Sequence, residues 1–409
     1  MMKKQQLIVS ILVVIFFILF PLLSLPALFA EIYNKRKYPL ILLAIFMGGL
    51  SMFYFPFGDQ YRYFNDLELN KFLSFDQVFD FNSVMIFKTF NIINLMVFFA
   101  AKLNFNLETI RFILTFIGCC LIFKIFIDLD SHGFLSESKK RRFIAFIILF
   151  LSIPYYLINY GFRTGFGSCL LTYGVYVCYI KKNILKGLLF LVLATFSHFL
   201  FLVHTVAFIV LYFIDVHLTR NKALAFSIVL FFFSMSIFNF LYGHIEFVDN
   251  IMNSYVYGAN HGMGTYYWFS PSAKEMWLNG ILNTVLLYVV FFRFKKQGRF
   301  ENVLYFLFIL MIFAAPYATF FQRIIRSLIP IISLYLVVHI RYKKVYNARY
   351  LILCGVFITF IVPFWVHRHK YSYGRIDKVL YSSLPVMLSN HYDTKTVYKK
   401  VFDNGEFDK

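Results

Sequence analysis

Apolar residues in this chain gather in long unbroken runs instead of alternating with polar ones. The runs cover about 7–29, 38–56, 84–101, 109–127, 143–160, 164–180, 184–214, 223–242, 276–292, 301–320, 324–340 and 350–366. A membrane-spanning helix needs about 20 apolar residues. The pattern therefore predicts an all-α polytopic membrane protein of about twelve transmembrane helices, forming one integral membrane domain over residues 1–409. Only two spacers are long, and a basic C-terminal tail, 367–409, follows the last run.

The spacers set the topology. Six short ones are cationic: Lys35-Arg36-Lys37, Lys139 to Arg142, Lys181-Lys182, Arg220 with Lys222, Arg293 to Arg299, and Arg341 to Lys344. Short loops rich in Lys and Arg stay cytoplasmic. The long spacers, 57–83 and 243–275, carry few cations and are expected outside. Strict alternation through every run breaks this arrangement. It is restored if 84–101 lies in the interface, with Lys88, Asn91 and Asn94 as a polar stripe, so that 57–108 becomes an external loop with an interfacial helix. A split of 184–214 near Ser197-His198 is also needed, which brings His198 to the outer surface. Both termini are then external.

Composition sharpens the picture. The chain is 60% hydrophobic and only 15% charged, with 56 Phe and 29 Tyr. Soluble domains carry about 25% charged residues, so a soluble enzyme and a disordered chain are both excluded. The formal charge of +20 does not indicate nucleic acid, because no soluble basic domain exists to hold it. Five cysteines, Cys119, Cys120, Cys169, Cys178 and Cys354, sit inside apolar runs with no metal or disulfide spacing. The first run is too long for a signal peptide and contains Pro21 and Pro26.

Charge inside or beside apolar runs is costly, so it marks candidate sites. Arg163, in Asn159-Tyr-Gly-Phe-Arg163-Thr-Gly-Phe-Gly167, falls on the expected outer face. It reads as an anion clamp, because guanidinium binds phosphate through two parallel hydrogen bonds, or as an interfacial arginine reaching for headgroups. His198 reads as a base or donor, or as a packed histidine joining two short helices; His204 reads as structural. Arg323 and Arg326 lie about one turn apart on an expected outer helix; with Arg163 they suit a pyrophosphate, or they anchor the helix at the interface. The spacer Gly58-Asp59-Gln-Tyr61-Arg62-Tyr63-Phe-Asn-Asp66-Leu-Glu68 either offers carboxylates and rings for sugar hydroxyls and faces, with a base for an acceptor hydroxyl, or is a solvated loop with interfacial tyrosines. In 243–275, Glu246, Asp249, His261 and Trp268 form either a passive connector or an acceptor-binding loop.

HExxH, P-loop and GxSxG motifs are absent, which leaves zincins, ATPase motors and α/β-hydrolases unsupported. The spacing Asp128-Leu-Asp130 adjoins a basic loop and reads as solvated charge.

The order of these features resembles a known family. It comprises Gly58-Asp59-x-Tyr61, Arg163-x-Gly165-x-Gly167, a Lys-Lys loop, Ser197-His198 in an apolar run, and a late Arg323/Arg326 helix. Over residues 7–340 this resembles the bacterial Wzy-type repeat-unit polymerases of O-antigen and capsule synthesis, including the EpsG-like branch. The resemblance implies a GT-C-like glycosyltransferase in the bacterial inner membrane with a periplasm-facing active site. It implies transfer of a growing glycan from undecaprenyl pyrophosphate to the non-reducing end of an incoming lipid-linked unit. Arg163, Arg323 and Arg326 would hold the pyrophosphate; Asp59 and His198, with Arg163, would be catalytic; Tyr61, Tyr63 and His261 would touch glycan. Neither metal nor other cofactor is required. The partners are undecaprenyl-pyrophosphate-linked glycans, membrane lipids and a chain-length regulator, with no nucleic acid.

Two other classes fit an all-helical chain with embedded charge. A lipid-linked oligosaccharide flippase would show two similar halves, which this sequence lacks. An O-antigen ligase shares the donor and differs only in acceptor.

Overall fold

The computed structural model describes residues 2–57, 59–79, 90–135, 138–214, 218–245, 248–249, 298–315, 318–366 and 374–403. All regular structure among them is helical. Short leading helices are α1 (Met2–Leu19), α2 (Leu25–Tyr33) and α3 (Tyr38–Ser51). They are followed by α4 (Asp59–Asn70), α5 (Phe75–Val78) and α6 (Ile92–Lys102). The central helix α7 (Leu107–Ser131) has 25 residues, about 37 Å at 1.5 Å per residue. Next come α8 (Lys139–Leu151), α9 (Tyr155–Tyr160) and α10 (Phe162–Val175), the last extended by a π-helical turn, Tyr176–Ile180. Then follow α11 (Ile184–Ser197), α12 (Phe201–Phe213) and α13 (Arg220–Leu241). The remaining helices are α14 (Arg299–Ala314), α15 (Ala318–Val338), α16 (Lys343–Asn347), α17 (Arg349–Val366), α18 (Leu384–Leu388) and α19 (Thr394–Asp403).

Large apolar side chains cover the outside as well as the core. Leu7, Ile8, Ile11 and Leu12 on α1, Phe226, Phe232, Phe233 and Phe240 on α13, and Leu351, Phe357 and Trp365 on α17 are all exposed. Water would not tolerate such a continuous surface, whereas acyl chains would. The protein is a membrane protein.

The apolar runs divide more finely than expected. Two stretches, Leu107–Ser131 and Lys139–Tyr160, are long and apolar enough to cross a bilayer; other apolar helices are shorter. Among the described residues there are thus fewer full-length spans than the twelve expected. Proline explains two of the divisions. Pro21 follows the end of α1, and Pro154 separates α8 from α9, because a proline nitrogen cannot continue a helical hydrogen-bond ladder. The run 184–214 divides where expected, at His198 between α11 and α12.

The cationic loops share one end of the molecule. Lys139 Nζ donates to Asn34 Oδ1 at 3.2 Å, Arg142 Nη1 to the Ile32 carbonyl at 2.6 Å, and the Leu218 amide to Asn302 Oδ1 at 3.2 Å. Arg141 lies 4.4 Å over the Tyr346 ring, and Arg299 lies 5.5 Å over Tyr212. Asp128 and Asp130 are not solvated loop charges. Asp128 is buried and pairs with both Lys124 and Lys181, while Asp130 pairs with Arg142 at 2.8 Å.

The described residues of segments 57–108 and 367–409 contain helices that pack on the body. The first is largely helix packed into the core, with Tyr63, Phe64, Leu67, Ile93 and Val97 buried. The polar stripe begins as a helix cap: Asn91 precedes α6 and its Oδ1 accepts the Asn94 amide at 3.0 Å, the usual way to satisfy a first-turn N–H. Lys88 lies outside the described residues. The described part of the tail, 374–403, folds back onto the body and buries Val379, Met387, Tyr392, Val397 and Val401.

Candidate functional site

The site lies at the end opposite the cationic loops, where α4, the starts of α7 and α10, the α11–α12 elbow and residues 374–403 meet. Arg163 occupies the first turn of α10, just after the break at Gly161. The packing there explains two glycines. A Cβ on Gly165 would fall 2.2 Å from the Ile158 nitrogen, and one on Gly167 would fall 2.4 Å from the Phe201 ring. Only hydrogen at these positions lets α10 press against both α9 and the elbow. The glycines therefore admit protein neighbours.

Two motifs remote in sequence are joined here. The Ser197 hydroxyl donates to the Arg163 carbonyl at 2.8 Å. His198 ends α11, and its Nδ1 accepts the Leu200 amide at 3.0 Å, capping the turn into α12. With Nδ1 accepting, the neutral ring carries its proton on Nε2 and is a donor. His204 is structural: it is buried, and its Nε2 meets Ser327 Oγ at 3.3 Å, tying α12 to α15.

Asp66 supplies the carboxylate. It is partly buried on α4, and Arg62 and Arg163 both act on its charge. Burial raises its carboxyl above the usual carboxylate value, and the two guanidinium groups oppose that rise. Asp66 also lines a cavity of about 260 Å³ between α4, α5 and α6, with Asn70, Gln77 and Asn94 as its other polar walls. Asp59 is the first residue of α4; its side chain lies outside the described residues, as does all of His261. Tyr61 and Tyr63 face different neighbours, as positions two apart on a helix must. Tyr63 is buried with its ring 5.2 Å from Phe162, so it braces the arginine turn instead of offering a ring face. Tyr61 meets Tyr398 of α19 at 6.1 Å. The backbone of α15 carries positions 323 and 326 in the turn before Ser327; the side chains of Arg323 and Arg326 lie outside the described residues.

Arg111 was not among the residues singled out in the sequence. It is fully buried near the start of α7, donating to the carbonyls of Ser51 (3.1 Å) and Tyr54 and to Gln60 Oε1 (3.1 Å). Glu108, one turn earlier and also buried, lies within the field of this guanidinium. From the other side, Asn390 Nδ2 donates to the Met52 carbonyl at 2.7 Å. The Tyr392 hydroxyl and the Arg375 amide donate to the Phe53 carbonyl at 2.8 and 3.0 Å. Four consecutive carbonyls leaving α3 are thus satisfied by two distant parts of the chain, which is what a helix C-terminus buried away from water requires. Together they fix the start of α4. Burial pushes the Tyr392 phenol up to about 12, against the pull of Arg111 and Arg375. The spacing Glu108-x-x-Arg111, two charges one turn apart at the head of the longest apolar helix, is the signal that marks this pair.

No curated protein and no solved structure matches the chain. The EpsG family matches residues 37–377, which include α4, the starts of α7 and α10 and the α11–α12 elbow, and which stop before most of the 374–403 segment. EpsG proteins are of polysaccharide-polymerase type, with glycosyltransferase-like activity. This chain belongs to the EpsG family.

Proposed function

We propose that the protein polymerises lipid-linked oligosaccharide repeat units in the bacterial inner membrane. It transfers the growing glycan from undecaprenyl pyrophosphate to the non-reducing end of an incoming unit, in a GT-C-like site facing the periplasm. The observation that carries this reading is the meeting of Arg163, Asp66 and Ser197-His198 at the end opposite the cationic loops. The positive-inside rule puts that end outside the cytoplasm.

In the proposed reaction, the acceptor hydroxyl oxygen attacks the anomeric carbon of the growing chain. The bond from that carbon to the pyrophosphate oxygen breaks, and undecaprenyl pyrophosphate leaves with the electron pair. A carboxylate of α4 takes the hydroxyl proton; Asp66 is half-buried beside Arg163, and Asp59 opens the same helix. Arg163, joined by Arg323 and Arg326 on α15, faces the charge that develops on the leaving group, where a dry site strengthens each interaction. His198 serves as a donor from Nε2 to a phosphoryl or glycosidic oxygen. The lipid donor is already activated, so the reaction calls for no nucleotide.

Deletion of the gene followed by glycan electrophoresis tests this reading. Loss of a polymerase leaves single repeat units attached to their acceptor. Unsubstituted acceptor, with or without lipid-linked units held on the cytoplasmic leaflet, would instead mark a flippase or a ligase.

A further inference from the structure

The cationic end contains a cavity of about 560 Å³, within the roughly 300–1,000 Å³ of small-molecule sites. Three cationic loops that are far apart in sequence supply Lys182, Arg299 and Arg341 to its wall. Three cations elsewhere at this end are neutralised: Lys124 and Lys181 by Asp128, and Arg142 by Asp130. Lys182, Arg299 and Arg341 make no ion pair with a carboxylate among the described residues. The acid in the wall, Glu301, is engaged elsewhere. It is buried, accepts the Tyr335 hydroxyl at 3.2 Å, and lies 3.7 Å from His339 Nε2. Three cations therefore surround a space with one committed carboxylate.

Rings of the wall hold the two arginines in place. Arg299 lies 5.5 Å over Tyr212, and Arg341 lies 5.3 Å over Tyr342. Stacking occupies the face of a guanidinium and leaves its N–H edge for an acceptor. The cavity also borders the apolar belt: Phe213 and Ile214, next to Tyr212, are exposed. Cations, tyrosines and a lipid-facing edge are what a phospholipid headgroup meets at a membrane surface.

We propose that this cavity binds a phosphate group, and that the group is the headgroup of an anionic phospholipid in the leaflet beside the cationic end. The site is separate from the Arg163 end and does not depend on the polymerase reading.

The test uses the full chain in detergent, titrated with phosphatidylglycerol, with phosphatidylcholine, or with inorganic pyrophosphate. The unfolding midpoint and the lipid retained in native mass spectrometry are followed. Phosphatidylglycerol, but not phosphatidylcholine, is expected to bind saturably and raise the midpoint. The triple variant Lys182→Gln, Arg299→Gln, Arg341→Gln is expected to bind about a hundredfold more weakly, at roughly fivefold per surface cation. A control variant, Lys35→Gln, Lys37→Gln, Lys140→Gln, changes the same charge at the same end and should bind as the native chain does. The single change Arg341→Gln gives the intermediate value and replaces the triple variant if that does not fold. Stabilisation by pyrophosphate alone would keep the phosphate site and overturn the lipid source. Equal loss in triple variant and control, or no binding of either phosphate probe, would overturn the proposal.

Discussion

The two ends of the molecule handle cations in different ways. At the loop-rich end, lysines and arginines are numerous and partly exposed, and they pair with Asp128 and Asp130 or lie over tyrosines. At the opposite end two arginines are built into the structure, beside exposed cations such as Arg62 and Lys395. Arg111 is fully buried on backbone carbonyls, and Arg163 sits in a turn held by Ser197 and braced by Tyr63. Many solvated cations orient a chain in a bilayer through their sum, so each one alone matters little. A buried guanidinium costs several kcal/mol in lost hydration and persists only where surrounding groups replace that hydration. Orientation is therefore written in charge density, and chemistry in isolated charge.

The contrast is open to direct attack, beginning with the largest effect. Arg111→Met removes the groups that satisfy Ser51 and Tyr54 and deprives buried Glu108 of its principal cation. A loss of about 3–5 kcal/mol is expected in detergent unfolding, and Glu108→Gln added to it should restore part of that loss. Lys124→Ala, at the other end, should cost less than about 1 kcal/mol, because Lys124 is half exposed and such pairs contribute little. Similar losses in the two variants would end the comparison.

Asn390→Ala with Tyr392→Phe leaves two carbonyl partners unmade and should cost about 1–3 kcal/mol in the same measurement. It should also release residues 374–403 to protease while the membrane core stays intact. Ser197→Ala removes one hydrogen bond to the arginine turn, worth about 0.5–1.5 kcal/mol. Shorter polymer at unchanged protein level is the expected result.

The smallest effect concerns pH. Burial raises the Asp66 carboxyl above 3.8, so the folded protein holds that proton more tightly than the unfolded chain. Stability contributed by this residue is therefore present at low pH and falls as pH rises from about 3.8 through the raised value. Asp66→Asn should flatten that slope in a pH series of unfolding midpoints. An unchanged slope would mean that Arg62 and Arg163 cancel the effect of burial.

Parts of this arrangement were legible in the sequence. Clusters such as Lys139 to Arg142 and Arg341 to Lys344 are local signals, and they meet at one end. The elbow at His198 was legible because 31 residues, 184–214, exceed a comfortable span. Arg111 is not legible in the sequence because its run reads as apolar, and its partners are 51 to 60 residues away. Asn91 looked like one position of a polar stripe, yet it is a cap; periodicity cannot separate the two at a helix start. The folding of 374–403 was hidden for the same reason as Arg111. Its apolar positions are sparse, and the carbonyls that tie it to the body, those of Met52 and Phe53, lie more than 300 residues away.

The most direct measurement compares polymer made from lipid-linked repeat units by membranes holding equal amounts of native protein, Arg163→Lys or Arg163→Ala. Loss of one preorganised electrostatic contact to a leaving group slows such reactions about 10²–10³-fold. The expected result is a drop of that size for Arg163→Ala and a smaller one for Arg163→Lys, with unit binding retained. Native-length polymer made at the native rate by Arg163→Ala would contradict a catalytic site at this end of the molecule.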